Sequence, residues 1–327
     1  MIGRREFIGL IGGTAAAWPL TASAQEAPIP VVGFLNSSSL RNQDYRVTAL
    51  RRGLREVGYI EGQNVSIDYR WAEGHYERLP SLAADLVRRQ VSVIAVTSTP
   101  GAMAAKAATA TTPIVFAIGA DPIKFGLVVS LNRPGGNATG VSFLINILIA
   151  KQLEVLHEAL PKAPVLGFLV NPTNPSADSD SAAAQGAADA VGQQLVVAKA
   201  GTASDFGAAF DALVQGRASA VLVCADPVFD NQPERLVELA AHHGLPAIYP
   251  YREYAAVGGL LSYGTNRADA VRQIGIYAGR ILKGDDPARL PVQQSTKIEL
   301  VVNLKTAKAL GFEIPTSLLL RADEVIE

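Results

Sequence analysis

The stretch VVGFLN, Val31 to Asn36, returns downstream as VLGFLV, Val165 to Val170, so that Gly33-Phe34-Leu35 and Gly167-Phe168-Leu169 stand 134 positions apart. Each copy opens a run in which short β-rich apolar segments alternate with helix-length amphipathic ones. After the first come a helical pattern from Gln43 to Val57 closed by Gly58, NVSIDYRW, a helix from Tyr76 to Arg89, VSVIAVT, a helix from Ala102 to Thr109, PIVFAIG and ATGVSFL. From Ile147 the order restarts with a helix to Leu160, PVLGFLV, a helix from Ser176 to Val191, QLVVAKA, a helix from Ser204 to Val214, SAVLVCA, a helix from Gln232 to His243, LPAIY and GGLLSYG. Three shared residues recur easily by chance, but a shared order of elements does not. Apolar strands separated by such helices require parallel sheets covered on both faces, with right-handed crossovers. The expected fold is α/β: two doubly wound parallel-sheet lobes, each opening on a strand whose glycine admits a close-packed helix.

A helix from Ala268 to Lys283, the Pro-containing GDDPARLP, a strand KIELVVN and a short helix LKTAKALG follow the second repeat. If that helix packs on the first lobe and the closing strand joins the second, the chain crosses three times and makes a three-crossover hinge. The expected boundaries are 29–141 with 264–285 for the N-terminal lobe, and 142–263 with 290–327 for the C-terminal lobe.

The N-terminus MIGRREFIGLIGGTAAAWPLTASAQ has the form of an export signal: Arg4-Arg5, an apolar stretch from Phe7 to Leu20, and Ala22-Ser23-Ala24 before a cleavage point after Ala24. Arg4-Arg5 with Glu6-Phe7-Ile8 resembles a twin-arginine signal, although a general secretory signal also begins with basic residues. At about 14 residues the apolar stretch is shorter than the roughly 20 needed to span a bilayer, so no direct membrane insertion of the mature chain is expected. Its removal takes two arginines and one glutamate, and the formal net charge goes from −1 to −2. With no basic surplus, nucleic acid is not an expected partner. The single cysteine, Cys224, excludes an internal disulfide and a Cys-rich zinc site, and in SAVLVCAD it reads as a small buried hydrophobe.

Reaction chemistry is sparse. NSSSLRN after the first strand lacks a G-x-G-x-x-G fingerprint, and G-x-x-x-x-G-K-[ST], H-E-x-x-H and G-x-S-x-G are all absent. No cofactor, metal or catalytic residue is expected. The strand C-terminal ends, where open α/β sheets bind ligands, carry uncharged donors and acceptors with a few carboxylates and phenols. They are Asn36, Ser37 and Ser38; Thr97, Ser98 and Thr99; Asp121; Asn171 and Asn174; Asp226, Asp230 and Asn231; and Tyr249, Tyr251 and Tyr263. Any one of these could be a helix cap or a turn former. As a set at equivalent ends of both lobes they mark one cleft. Four of the nine tyrosines, Tyr249, Tyr251, Tyr254 and Tyr263, fall within fifteen residues, a phenol wall suited to a flat apolar or aromatic group, with Tyr254 the one read as packing. Glu253 is open between receiving a ligand ammonium and pairing with Arg252 or another charge.

The segments VVGFLNSSS, GLREVGYIEGQNVSIDYRWAEG, TSTPGAMAAKAAT, PIVFAIGADPIKFGLVVSLNRPGGNATGVS, LVNPTNP, ADPVFDNQ, PAIYPYREY, GGLLSYGTN and VVNLKTAKALGFEIP together resemble the ABC transporter substrate-binding proteins of the tryptophan/tyrosine-type group. The resemblance spans almost the whole mature chain. It implies a type I periplasmic-binding-protein fold, two lobes closing on a small-molecule ligand, and delivery to an ABC permease in the inner membrane. Position by position it implies ligand contacts at Ser37 or Ser38, Thr97 to Thr99, Asp121, Asn171, Asp226, Asn231, Tyr249 and Tyr263. Aromatic amino acids are the ligands of the best-understood members. NSSS after the first strand and STPG after the third depart from them, toward an expanded proteobacterial branch. The function expected is that of a periplasmic binding protein for import. The alternatives are a ligand sensor acting through a membrane signalling protein and a periplasmic hydrolase.

Overall fold

The computed structural model describes residues 28–40, 44–143 and 145–327. The expected export signal over residues 1–24 lies outside the described residues. Thirteen strands are described: β1 (Val31–Asn36), β2 (Ser66–Trp71), β3 (Val93–Val96), β4 (Ile114–Ile118), β5 (Ala138–Ser142), β6 (Val165–Val170), β7 (Gln194–Lys199), β8 (Ala220–Val223), β9 (Ala247–Tyr249), β10 (Leu261–Thr265), β11 (Gln293–Gln294), β12 (Ile298–Asn303) and β13 (Glu324–Ile326). They form two sheets, ordered β11-β5-β4-β3-β1-β2 and β13-β12-β10-β9-β8-β6-β7. Neighbours are parallel except β10 and β12, which run antiparallel, so the two parallel-sheet lobes are present as expected, with one antiparallel pair in the second.

The two copies of Gly-Phe-Leu occupy equivalent places. β1 lies between β2 and β3, and β6 between β7 and β8. A Cβ on Gly33 would stand 3.0 Å from Leu86 of the helix Leu79–Arg88, and one on Gly167 would stand 2.7 Å from Leu213 of the helix Phe206–Gln215. A missing side chain in each lobe lets the crossover helix settle on the sheet.

Strand alternation sorts the cores. In β3, Val93 and Ala95 face a cluster with Leu50 and Ile274, whereas Ile94 and Val96 face one with Leu86 and Ala102. In the second lobe, Leu166 and Phe168 meet Leu153 and Leu156 on one face, and Leu169 meets Phe210 and Leu236 on the other. The helix Arg267–Leu282 returns to the first lobe and crosses the helix Asp44–Glu56 on paired glycines. A Cβ at Gly53 would lie 2.0 Å from the Arg272 carbonyl oxygen, and one at Gly275 would lie 2.5 Å from that of Leu50.

Three details differ from the sequence reading. The helix expected from Ala102 begins at Thr99, because the Ser98 hydroxyl caps it by accepting from the Gly101 N–H at 3.2 Å and Pro100 has no N–H to satisfy in the first turn. The helix expected over Tyr76–Arg89 is a short 3₁₀ turn, Tyr76–Arg78, followed by the helix Leu79–Arg88. The lobe boundaries also move. Gly264 and Thr265 stay in the second sheet, paired with Glu299 and Ile298. The first lobe runs past residue 285, since Leu290 and Val292 enter its cores and β11 pairs with β5.

The chain passes between the sheets after Ser142, at Asn266 and over 295–297. These segments are hydrogen-bonded together. Asn266 N–H donates to the Lys297 carbonyl at 3.0 Å, the Asn266 amide to Glu299 Oε1 at 2.7 Å, and Ser295 N–H to the Ser142 carbonyl at 3.0 Å. Among the described residues, no helix is long and apolar enough to cross a membrane.

Candidate ligand-binding site

The C-terminal ends of β3 and β4 face those of β6 and β8 across a narrow cavity of about 50 Å³ lined by both lobes, at the strand ends where open α/β sheets bind ligands. The first lobe supplies Thr97, Ser98, Thr99, Gly119 and two arginines, Arg46 and Arg267. The second supplies Asn174, Ser176, Asp180, Asp226, Asp230 and Tyr251. Phe143, Ala117 and Val271 add an apolar stretch.

Of the residues expected from sequence, Thr97, Ser98, Thr99, Asn174, Asp226, Asp230 and Tyr251 line this cavity. The others stand elsewhere. Ser37 lies behind Ser98, their hydroxyl oxygens 2.5 Å apart. Ser38 donates to the Pro227 carbonyl at 3.4 Å, and Asn231 accepts from the Ser39 N–H at 2.8 Å, so both join the lobes at the cavity's margin. Asn171 holds Asp226, its amide 3.0 Å from Oδ1. Asp121 is exposed and caps its own turn, accepting from the Ile123 N–H at 2.9 Å. Tyr249 is 1% exposed and stacked on Tyr254 at 4.8 Å inside the second lobe. Tyr263 packs against that lobe's other core cluster. The phenol wall reduces to Tyr251, because the strand pleat and the chain's return turn the other rings inward.

The lobes touch directly. Tyr76 of the first lobe donates its phenol to Asp226 Oδ2 at 2.8 Å. Arg267 pairs with Asp230 and stands 3.3 Å from Glu253, which settles the open reading of Glu253 as an ion pair with this buried arginine. Arg252 takes Glu324 instead, at 2.7 Å. Arg46 bridges Thr97 Oγ1 at 3.3 Å and Asp230 Oδ2 at 3.5 Å, and Tyr254 donates to Asp230 Oδ1 at 3.1 Å.

The three aspartates of the wall are held differently. Asp230 is surrounded by two guanidinium groups and a phenol. Asp226 meets only neutral donors, the Asn171 amide, the Asn174 amide at 2.7 Å, the Tyr76 phenol and the Val228 N–H at 2.8 Å. Burial pushes its carboxyl up from 3.8 to about 6 against the pull of those hydrogen bonds. Asp180, on the first turn of the helix Ala177–Ala190, has the Cys224 thiol 3.6 Å from Oδ2. Burial raises it to about 7 against that weak hydrogen bond, and the Asp226 charge adds to the rise. Burial works to raise the Glu253 carboxyl too, but the Arg267 charge outweighs it and holds the group below its usual range.

Arg46, Asp180 and Arg267 were missed in the sequence, although each leaves the same trace. Arg46 is in phase with Ala49, Leu50 and Gly53, Asp180 with Ala177, Ala184 and Ala188, and Arg267 with Ala270, Val271 and Ile274. A charge on the buried stripe of an amphipathic helix needs a partner inside the protein.

A polar cavity between the strand ends of two α/β lobes linked by three crossings defines the class of two-lobed solute-binding proteins. The chain belongs to the ABC transporter substrate binding protein family, whose model matches residues 28–326. It is 28% identical over 262 residues to a tyrosine-binding protein of Clostridioides difficile strain R20291, a match that covers 80% of this chain and 75% of that one. The crystal structure of an ABC domain in complex with L-Trp from Streptococcus pneumoniae superposes with a TM-score of 0.83 at 26% identity, covering 91% of this chain and 99% of that one. A ligand-free, open substrate binding protein with adhesive properties from Clostridium difficile gives 0.66 at the same identity and coverage.

Proposed function

We propose that the protein captures a small zwitterionic solute outside the cytoplasm, with aromatic amino acids the first candidates, and delivers it to an ABC permease of the inner membrane. The observation that carries this reading is the polarity of the cavity. Thr97, Ser98 and Thr99 gather at the N-terminus of the helix Thr99–Ala108, where hydroxyls and first-turn N–H groups suit a carboxylate, while Asp180 and Asp226 opposite suit an ammonium. Phe143 and Tyr251 between them suit an apolar or aromatic side chain. The names of the two similar proteins, tyrosine-binding in one and bound to L-Trp in the other, support the same class.

In this reading the ligand closes the lobes because it contacts both walls only when they are together. Export by the segment 1–24, with cleavage after Ala24, places the mature chain in the periplasm, and binding occurs there without turnover. The test is thermal unfolding of the mature protein, refolded to strip carried ligand, against tryptophan, tyrosine, phenylalanine, branched amino acids and aromatic acids. A ligand at a hundredfold excess over Kd adds about 2.7 kcal/mol, a shift of at least about two degrees. A shift with aromatic amino acids is expected. Stabilisation by aromatic acids alone, or by none of the panel, would overturn the zwitterion reading.

A further inference from the structure

The carboxylates that line the cavity differ in what they have left to offer. A carboxylate has about four acceptor positions. Those of Asp226 are taken by Asn171 and Val228 on Oδ1 and by Tyr76 and Asn174 on Oδ2. Asp230 is occupied by Arg46, Arg267 and Tyr254. Asp180 is only 4% exposed, its Oδ2 faces one thiol, and its Oδ1 is buried without a hydrogen-bond partner. Leaving a buried acceptor unpaired is costly, and more so where the group is charged, so an unpaired one on a residue that lines the cavity marks a place for a ligand's donor.

The surroundings state the sign of what fits. Lys124, exposed on the facing lobe, acts on Asp180 as a distant positive charge, and among the described residues no ion pair joins the two. Asp226 adds a second negative charge nearby, and the Cys224 thiol is buried and held protonated. The position of Asp180 in the first turn of its helix explains why an acid is tolerated there, since the helix dipole favours a negative charge. It does not explain an oxygen left without a partner on a cavity-lining residue.

We propose that Asp180, rather than Asp226, is the residue that receives the ligand's positively charged nitrogen, so that the site selects amines and rejects their deaminated counterparts. The nitrogen donates to Asp180 Oδ1, and Asp226, already filled, acts through its charge and by fixing Asn174 and Tyr76. This rests on the cavity being the ligand site, and it deepens the zwitterion reading by naming the residue on which the positive end depends.

The experiment is titration calorimetry of the mature wild-type protein and Asp180→Asn with probe triplets that differ by one group. They are tyrosine, tyramine and 3-(4-hydroxyphenyl)propionate, and tryptophan, tryptamine and indole-3-propionate. The expected result is that amine-bearing probes bind wild type at least tenfold more tightly than the amine-free acids, and that Asp180→Asn abolishes this preference while melting as a folded protein. Asp180→Ser is the second variant should Asn fail to fold. If the amino acids bind wild type and Asp180→Asn alike, the zwitterion reading stands and the Asp180 assignment falls. If tyramine or tryptamine bind and the amino acids do not, with the preference lost in the variant, the assignment stands and the zwitterion reading falls. Binding of the acids alone, or of no probe, overturns both.

Discussion

The guanidinium of Arg267 lies 3.7 Å from the centre of the Tyr251 ring, a first-lobe cation on a second-lobe aromatic face. Tyr45 flanks it at 5.6 Å, and Asp230 and Glu253 balance its charge. Burial alone would strip a proton from a cation, but this arginine is set among two carboxylates and two ring faces, and the closed lobes are what assemble that set.

Arg267→Met therefore removes a lobe-bridging charge and leaves Asp230 with Arg46 alone. The expected loss is about 3–5 kcal/mol of unfolding free energy in urea, partly recovered by adding Asp230→Asn. Small-angle scattering of the ligand-free variant should give a larger radius of gyration than wild type. An unchanged radius and stability would remove Arg267 as a clasp.

Tyr249 belongs to the interior of the second lobe, not to the cavity. Tyr249→Ala should cost about 3–5 kcal/mol of stability through loss of the stack on Tyr254. Ligand affinity of the molecules that remain folded should be unchanged. Calorimetry at low temperature separates the two effects, and a tenfold weaker Kd with full stability would return Tyr249 to the site.

Protonation should act in opposite directions on stability and on ligand capture. Asp180 and Asp226 bind their protons more tightly folded, at about 7 and about 6, than unfolded at 3.8. The ligand-free protein therefore loses stability as pH rises from about 4 through about 7, and the loss levels off above that. Urea titrations across this range should show the fall, and Asp180→Asn should flatten much of it. Binding of an amine runs the other way, weakening as pH drops below about 7, because a protonated Asp180 offers the cation no counter-charge.

The glycine crossing between Asp44–Glu56 and Arg267–Leu282 has no room for a methyl group. Gly275→Ala must part the helices and should destabilise by about 1–3 kcal/mol or more. Gly186→Ala is the contrast. That glycine has nothing within 4 Å of a would-be Cβ on the helix Ala177–Ala190, and the change should stabilise by about 0.5–1 kcal/mol. Thermal melts of the two variants suffice to check the pair.

By itself the sequence determined the two-lobed α/β architecture, because its signals are local. Apolar runs such as VVGFLN and VLGFLV alternate with amphipathic helices, and Gly33 and Gly167 mark where a helix must come close. It also placed Thr97, Ser98, Thr99, Asn174, Asp226, Asp230 and Tyr251 at the strand ends that border the cavity. What each polar group does there was decided only by the tertiary structure. Asp121 and Asn171 carry the same kinds of donor and acceptor as true cavity residues, yet one caps a turn and the other holds Asp226. Tyr249 and Tyr251 are two residues apart, yet one ring enters the core and the other the cavity. Asp226 and Tyr76 are separated by 150 positions, and Asp230 and Arg46 by 184. A group's free valence depends on which partners the closing lobes bring to it. For Asp180 the fold of its own lobe brings one thiol, that of Cys224, and leaves Oδ1 without a partner, because the two residues meet only when the helix after β6 packs beside the end of β8.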